Sequence, residues 1–246
     1  MPLLYLSPST QEWNSYVTGS GSEEYQMNLL ADALEPYLFA NGIQFRRNRP
    51  EMTAASSIRE ANSSYYDFYL ALHSNAAPEG QYGKERGIIA FYYPGSMQGQ
   101  RGAELIAEQL RQIYPLPDLV RAQSTTTLGE VARSRAPAVL VEIGYHDNAD
   151  DARWVEGHLD AIAQQLARAL TEFFGLPFIY PMEPKDGRVE VAYGTLNLRS
   201  RPSPTGTILA NMPDGAKVRV YGEWQGWYVV HYRNYVGYAA AAYIDT

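Results

Sequence analysis

Two acid–base residues stand at the ends of apolar runs. Glu142 follows Val139-Leu140-Val141 and precedes Ile143-Gly144-Tyr145, while His73 follows Phe68-Tyr69-Leu70-Ala71-Leu72 and precedes Ser74-Asn75. A carboxylate inside such a run carries a heavy desolvation penalty unless a cation or a proton compensates it. Ligands of open α/β sheets gather at the carboxyl ends of the strands, which is where both groups fall. The pair therefore reads as a metal ligand, His73, beside a general acid/base, Glu142. The alternative for Glu142 is an ion pair with Arg46, Arg47 or Arg133.

Further candidates surround this pair. Glu24 opens a helical stretch and is a ligand candidate; an acid there also suits the helix dipole, with Ser22 as N-cap, although Glu23 alone would meet that need. Ser7-Pro8-Ser9-Thr10-Gln11 follows the first strand and holds no strong zinc donor, so Gln11 enters only through its amide oxygen. His146, in the turn after Glu142, is placed to orient substrate, to stabilise an oxyanion or to complete a metal site; a solvated loop residue is the other reading. His158 and His231 lie elsewhere, in a late amphipathic helix and a β-rich tail.

These positions need a scaffold, and the apolar spacing supplies one. Strands are expected at Leu3–Leu6, Ile43–Phe45, Phe68–Leu72, Ile88–Tyr93 and Ala138–Ile143. Helices are expected at Glu23–Asn41, where Met27, Leu30, Ala31, Leu34, Tyr37 and Leu38 form one stripe, and at Ser57–Ser63, Gly102–Tyr114 and Ala152–Phe174. Such alternation predicts an α/β fold with a mixed central sheet and helices on both faces. Pro177, Pro181 and Pro184 then mark a stiff, extended connector. Beyond it, short strands at Leu196–Leu198, Ala216–Tyr221, Trp227–Tyr232 and Tyr235–Tyr238 predict a small closed barrel. The expected organisation is thus 1–176, a linker at 177–186, and 187–246.

Composition narrows the classes. A chain of 246 residues, 46% hydrophobic, can build a real core. No run approaches the ~20 apolar residues of a membrane span. The net charge of -7 lacks the basic footprint of a nucleic-acid binder. With no cysteine, disulfides and thiolate metal sites are excluded. No signal peptide precedes Pro2-Leu3-Leu4, so the expectation is a mature extracellular form or release by lysis.

Taken together, Glu24 with Asn28 one turn on, His73-Ser74-Asn75-Ala76, and Val141-Glu142-Ile143-Gly144-Tyr145 resemble, in order, three of the four motifs of the zinc-dependent N-acetylmuramoyl-L-alanine amidases of the amidase-3 type. The resemblance spans about Leu3 to Leu176. It implies cleavage of the amide between muramic acid and the peptidoglycan stem peptide, with Glu24 and His73 as zinc ligands, Glu142 as catalytic acid/base, and Asn75 or His146 beside the oxyanion. The fourth motif departs: where the family has Asp-Pro-Gly-His-Gly, this chain has Ser7-Pro8-Ser9-Thr10-Gln11. The first histidine ligand is gone, and Gln11 or His146 must replace it.

The tail from Thr195 to Pro204, with Gly226-Trp227-Tyr228 and Val236-Gly237-Tyr238, resembles bacterial SH3 domains, which commonly bind cell-wall peptides. Trp224, Tyr228 and Tyr238 are its candidate binding face, whereas Trp227 is expected in the barrel core. The resemblance makes peptidoglycan or muropeptides the partner. Two rivals stand beside the amidase: a degenerate wall-binding protein, and a glycosidase using Glu24 and Glu142 as its carboxylate pair.

Overall fold

The computed structural model describes all residues from Met1 to Thr246. Chain order is β1 (Leu3–Pro8), α1 (Glu23–Ala40), β2 (Gln44–Arg47), α2 (Ala54–Asn62), β3 (Phe68–Asn75), β4 (Ile88–Tyr92), α3 (Met97–Arg111), β5 (Val120–Ser124), α4 (Gly129–Ala132), β6 (Ala138–Tyr145), α5 (Ala149–Gly157), α6 (Leu159–Phe174), β7 (Lys185–Val189), β8 (Thr195–Arg199), β9 (Ile208–Pro213), β10 (Lys217–Trp224), β11 (Trp227–Tyr232), β12 (Tyr235–Ala240) and β13 (Ile244–Asp245).

The first sheet has the order β2-β1-β3-β6-β4-β5. β3 pairs parallel to β1 and to β6, whereas β4 pairs antiparallel to β6 and parallel to β5, so the sheet is mixed as expected. Side chains alternate across it. On one face Tyr5, Tyr69, Ala71 and Leu140 cluster with Ala61 of α2 and Val131 of α4. On the other, Gly102 of α3 lies so close to Phe68 and Val139 that an added Cβ would stand 2.6 Å from the Phe68 ring. Helices therefore cover both faces.

The second sheet, β13-β7-β10-β11-β12-β8-β9, is antiparallel throughout and encloses Val189, Leu198, Met212, Val220 and Val230. The chain divides into two compact units: Leu3–Leu34 with Phe45–Phe173, and Met1–Pro2 with Glu35–Gln44 and Phe174–Thr246.

Several expectations are corrected. The late helix is two helices, parted at His158, whose ring Nδ1 hydrogen-bonds Trp154 O at 2.7 Å. β5, α4, β7, β9 and β13 were not anticipated, and β7 begins inside the expected linker. The stretch after Gly175 does lack helix until β7, as its prolines require. It is nonetheless anchored within the second unit: Asn41 donates to Ile179 O at 2.9 Å and accepts from Ile179 N at 2.6 Å, and Phe178 stacks on Tyr37.

Candidate active site

Register brings the two key strands together. His73 on β3 is the lateral partner of Glu142 on β6, one strand over in a parallel pair, so both side chains leave the sheet on the same face as Tyr69, Ala71 and Leu140. Ser7 on β1 shares that face, two residues beyond Tyr5. After His73 and Glu142 the register shifts by one residue, across a left-handed Gly144 (φ +70°), before β3 and β6 pair once more at Asn75 and Tyr145.

His73 is held at both nitrogens. Nδ1 lies 2.8 Å from Glu23 Oε1, and Nε2 lies 2.8 Å from Glu130 Oε2. Glu130 Oε1 accepts from the Ser7 and Tyr69 hydroxyls, each at 2.7 Å. Burial opposes protonation of His73, but the hydrogen bond and charge of Glu130, reinforced by Glu23, outweigh it and hold the imidazolium well above its ordinary value. Burial likewise raises both carboxyls, and their contacts with His73 overcome that and leave them below the usual range.

Glu142 behaves oppositely. Its Oε2 is shielded from solvent and has no hydrogen-bond partner. Arg46 pairs with Glu60 and Arg47 with Asp32, so neither neutralises it. Desolvation pushes its carboxyl up to about 7; the charge of His73 opposes the rise, and Glu23 and Glu130 add to it. Ser7, His73, Glu130 and Glu142 line one cleft of about 840 Å³, together with Ser9, Gln11, Trp13 and Glu24, while Glu23 and Tyr69 stand behind its wall.

No three His, Asp or Glu side chains are arranged to hold a metal ion. A triangle that includes an amide comes closer. His73 Nδ1 and Glu23 Oε1 are 2.8 Å apart, and the Gln11 amide nitrogen lies 3.3 Å from the first and 3.4 Å from the second. Zinc bonds of about 2.0–2.2 Å set tetrahedral ligand atoms about 3.3–3.6 Å apart; the two sides that meet at Gln11 match, and the 2.8 Å His73–Glu23 side is a hydrogen bond that a cation would have to open. The imidazole–carboxylate contact at Nε2 also matches the outer partner usual for a metal-bound histidine. Asn14 complicates the third corner: its Nδ2 donates to Glu23 Oε2 at 2.7 Å and to Gln11 Oε1 at 3.2 Å, which turns the amide nitrogen inward. A divalent cation could be held here after two changes: the Gln11 amide makes a half-turn, exchanging oxygen for nitrogen and giving up the Asn14 bond, and His73 Nδ1 loses the proton it now shares with Glu23.

Of the sequence candidates, Gln11, His73 and Glu142 converge. Glu24 reaches the cleft wall, where its carboxylate accepts from Asn28 Nδ2 at 3.2 Å, and the carboxylate that contacts His73 is that of Glu23. The periodicity carried this signal, because Met27, Leu30, Ala31 and Leu34 are fully buried and fall four, seven, eight and eleven positions after Glu23. His146 packs away from the cleft, its Nδ1 on Ser74 O at 3.0 Å and its ring stacked on Tyr16. Asn75 is also absent from the cleft wall, and its Oδ1 accepts from Ala76 N. Glu130 was missed: it sits on the four-residue α4, where no periodicity marks it.

In the barrel, Trp224 and Tyr228 are half-buried, and Trp227, expected in the core, is half-exposed beside Trp224 on the facing strand. Tyr238 is 1% exposed and its hydroxyl donates to Asn41 O at 2.9 Å, so it cannot belong to an open binding face.

A family profile described as N-acetylmuramoyl-L-alanine amidase matches residues 13–172, and one described as bacterial SH3 domain matches residues 194–245. The amidase match begins after the altered Ser7–Gln11 segment. Among solved structures, an N-acetylmuramoyl-L-alanine amidase from Clostridium difficile 630 aligns with TM-score 0.62 at 17% identity over 71% of this chain and 97% of that one. The catalytic domain of CwlV, an amidase from Bacillus (Paenibacillus) polymyxa var. colistinus, aligns with TM-score 0.62 at 16% identity over 72% and 100%. CwlD from Clostridioides difficile, solved in complex with the GerS lipoprotein, aligns with TM-score 0.60 at 15% identity over 71% and 99%. At these identities the likeness establishes a shared fold. Among curated protein sequences, none matches this chain.

Proposed function

The chain belongs to the N-acetylmuramoyl-L-alanine amidase family and is a peptidoglycan amidase; from that premise we propose that it cleaves the amide joining N-acetylmuramic acid to the stem peptide with a zinc ion held by His73 Nδ1, Glu23 and the rotated Gln11 amide. The observation that carries this reading is the Gln11–Glu23–His73 triangle beside the unpartnered, shielded oxygen of Glu142. When bound, zinc would lower the pKa of a water towards neutrality and polarise the scissile carbonyl.

The remaining work falls to side chains. Glu142, its carboxyl near 7, takes the proton from the attacking water and returns it to the departing amine. Glu130 fixes the ring of His73 from behind, so that Nδ1 faces Glu23 and Gln11. The Ser7 and Tyr69 hydroxyls hold Glu130 in turn. The enzyme acts at the cell wall, and the barrel engages the wall through Trp224 and Tyr228. No helix is long and apolar enough to cross a membrane.

Two measurements test this assignment. Glu142→Gln should abolish release of stem peptide from purified peptidoglycan while leaving fold and zinc content unchanged; undiminished turnover would remove Glu142 from the mechanism. Zinc content should fall in Glu23→Gln and persist in Glu24→Gln. The reverse pattern would return the ligand role to Glu24, and a wild-type protein that takes up no zinc would refute the metal site.

A further inference from the structure

The loop between β1 and α1 presents Trp13 in an unusual way. Its indole is 71% exposed and stacks on no ring of this chain, yet it lines the catalytic cleft. The backbone beneath it is not loose. Glu23 N donates to Asn14 O at 2.8 Å, the Asn14 side chain ties down Glu23 and Gln11, and Tyr16 N and Val17 N donate to Gly21 O and His146 O, both at 2.9 Å. An aromatic face held out on a pinned loop is preorganised for a flat, partly apolar ligand, because little ordering entropy remains to be lost on binding.

The wall around it narrows the ligand's chemistry. Glu12, Glu24, Glu51, Glu130 and Glu142 line the cleft, and no lysine or arginine does; Glu51 is paired with Arg49 through one oxygen and Glu130 with His73, which leaves the wall acidic on balance. Stem peptides carry carboxylates, which such a wall repels. A pyranose ring is neutral, offers hydroxyl donors to carboxylates, and presents C–H groups to an aromatic face.

We propose that Trp13 is the platform for the glycan side of the substrate, stacking an N-acetylated amino-sugar ring while Glu12 and Glu51 accept hydrogen bonds from its hydroxyls. This inference rests on the amidase reading for its substrate. It adds which half of that substrate lies against which wall, and it leaves the stem peptide to extend away from the Trp13 side.

The test uses the full chain carrying Glu142→Gln, so that bound substrate is not consumed, with calorimetric titration of two ligands: denuded glycan strands freed of stem peptide, and free stem peptide. Adding Trp13→Ala should weaken glycan binding roughly three- to tenfold, the range expected for loss of one aromatic stack. Trp13→Phe should restore part of it, and stem-peptide affinity should not move. In the otherwise wild-type enzyme, Trp13→Ala should raise KM for peptidoglycan fragments with kcat little changed. Unchanged glycan affinity in Trp13→Ala, or loss of stem-peptide affinity instead, would overturn the proposal. So would a parent protein whose cleft takes no denuded glycan. Because denuded glycan carries no scissile amide, the binding arm is independent of whether hydrolysis is observed. Active enzyme with Trp13-independent glycan binding would remove this inference and leave the amidase reading standing. Trp13 is exposed, so its replacement leaves the core intact, and circular dichroism of each variant verifies that.

Discussion

Glu130 stands behind His73, and this decides how the histidine can be used. With Nε2 committed to a carboxylate that is itself held by Ser7 and Tyr69, only Nδ1 is free to turn towards Glu23 and Gln11. Outer partners of this kind typically contribute 10- to 100-fold in metal affinity. Glu130→Gln should therefore weaken zinc binding by roughly that factor, read by competition with a chromogenic chelator. Unaltered affinity would reduce Glu130 to a packing role. His73 and Glu142 were legible in the sequence because each interrupts an apolar strand, a conflict that local propensity cannot explain. Choosing between Glu23 and Glu24 needed the helical stripe to be extended back to its first residue. Glu130 was not legible. It meets His73 across 57 positions of chain, from a helix too short to declare a face, and only tertiary structure joins them.

At the scale of elements, the site depends on how β6 ends. Gly144 turns the chain after Glu142, and a Cβ there would approach Asp151 and Val155 at 3.3 Å. Asp151, wholly buried at the start of α5, fastens this turn: Oδ2 accepts from Tyr145 N at 3.1 Å and Gly87 N at 3.0 Å, and Oδ1 accepts from Tyr114 OH at 2.6 Å and Arg86 Nε at 2.9 Å. Asp151→Asn would turn an amide N–H₂ against donors and leave the Arg86 charge unmatched. The expected loss is about 3–5 kcal/mol in denaturant unfolding, as for other broken buried pairs. A loss under about 1 kcal/mol, the scale of an exposed ion pair, would show that the turn is held by other means. The buried strands were readable from their apolar runs. β5 was not, because Arg121, Gln123 and Ser124 are exposed on an edge strand and leave it with no apolar pattern. The break between α5 and α6 had one visible cue, Gly157 beside His158, which the surrounding helical stripe masked.

For the molecule as a whole, the second unit is built on more than the barrel that the tail announced. Asn41, fully buried, donates to Tyr37 O and Ile179 O, accepts from Ile179 N, and offers its own carbonyl to the Tyr238 hydroxyl. An added Cβ at Gly222 would meet Ala40 O at 2.8 Å, so that approach admits only glycine without a shift. The proline-rich stretch thus works as an anchored strap, which its composition could not reveal, since stiffness is local and docking is not. This separates the aromatic residues of the barrel by role. Tyr238→Phe should cost about 1 kcal/mol in thermal unfolding, the value of one neutral hydrogen bond, and leave wall binding unchanged. Asn41→Ala should cost more, about 2–3 kcal/mol, because it strands buried partners on Ile179. Trp224→Ala, at a half-exposed hairpin end, should do the opposite: little change in stability, but weaker retention on insoluble peptidoglycan in a sedimentation assay. If Tyr238→Phe released the protein from the wall while Trp224→Ala did not, the binding face would have to lie where Asn41 now packs, and the docked arrangement of the second unit could not be the one that meets the wall.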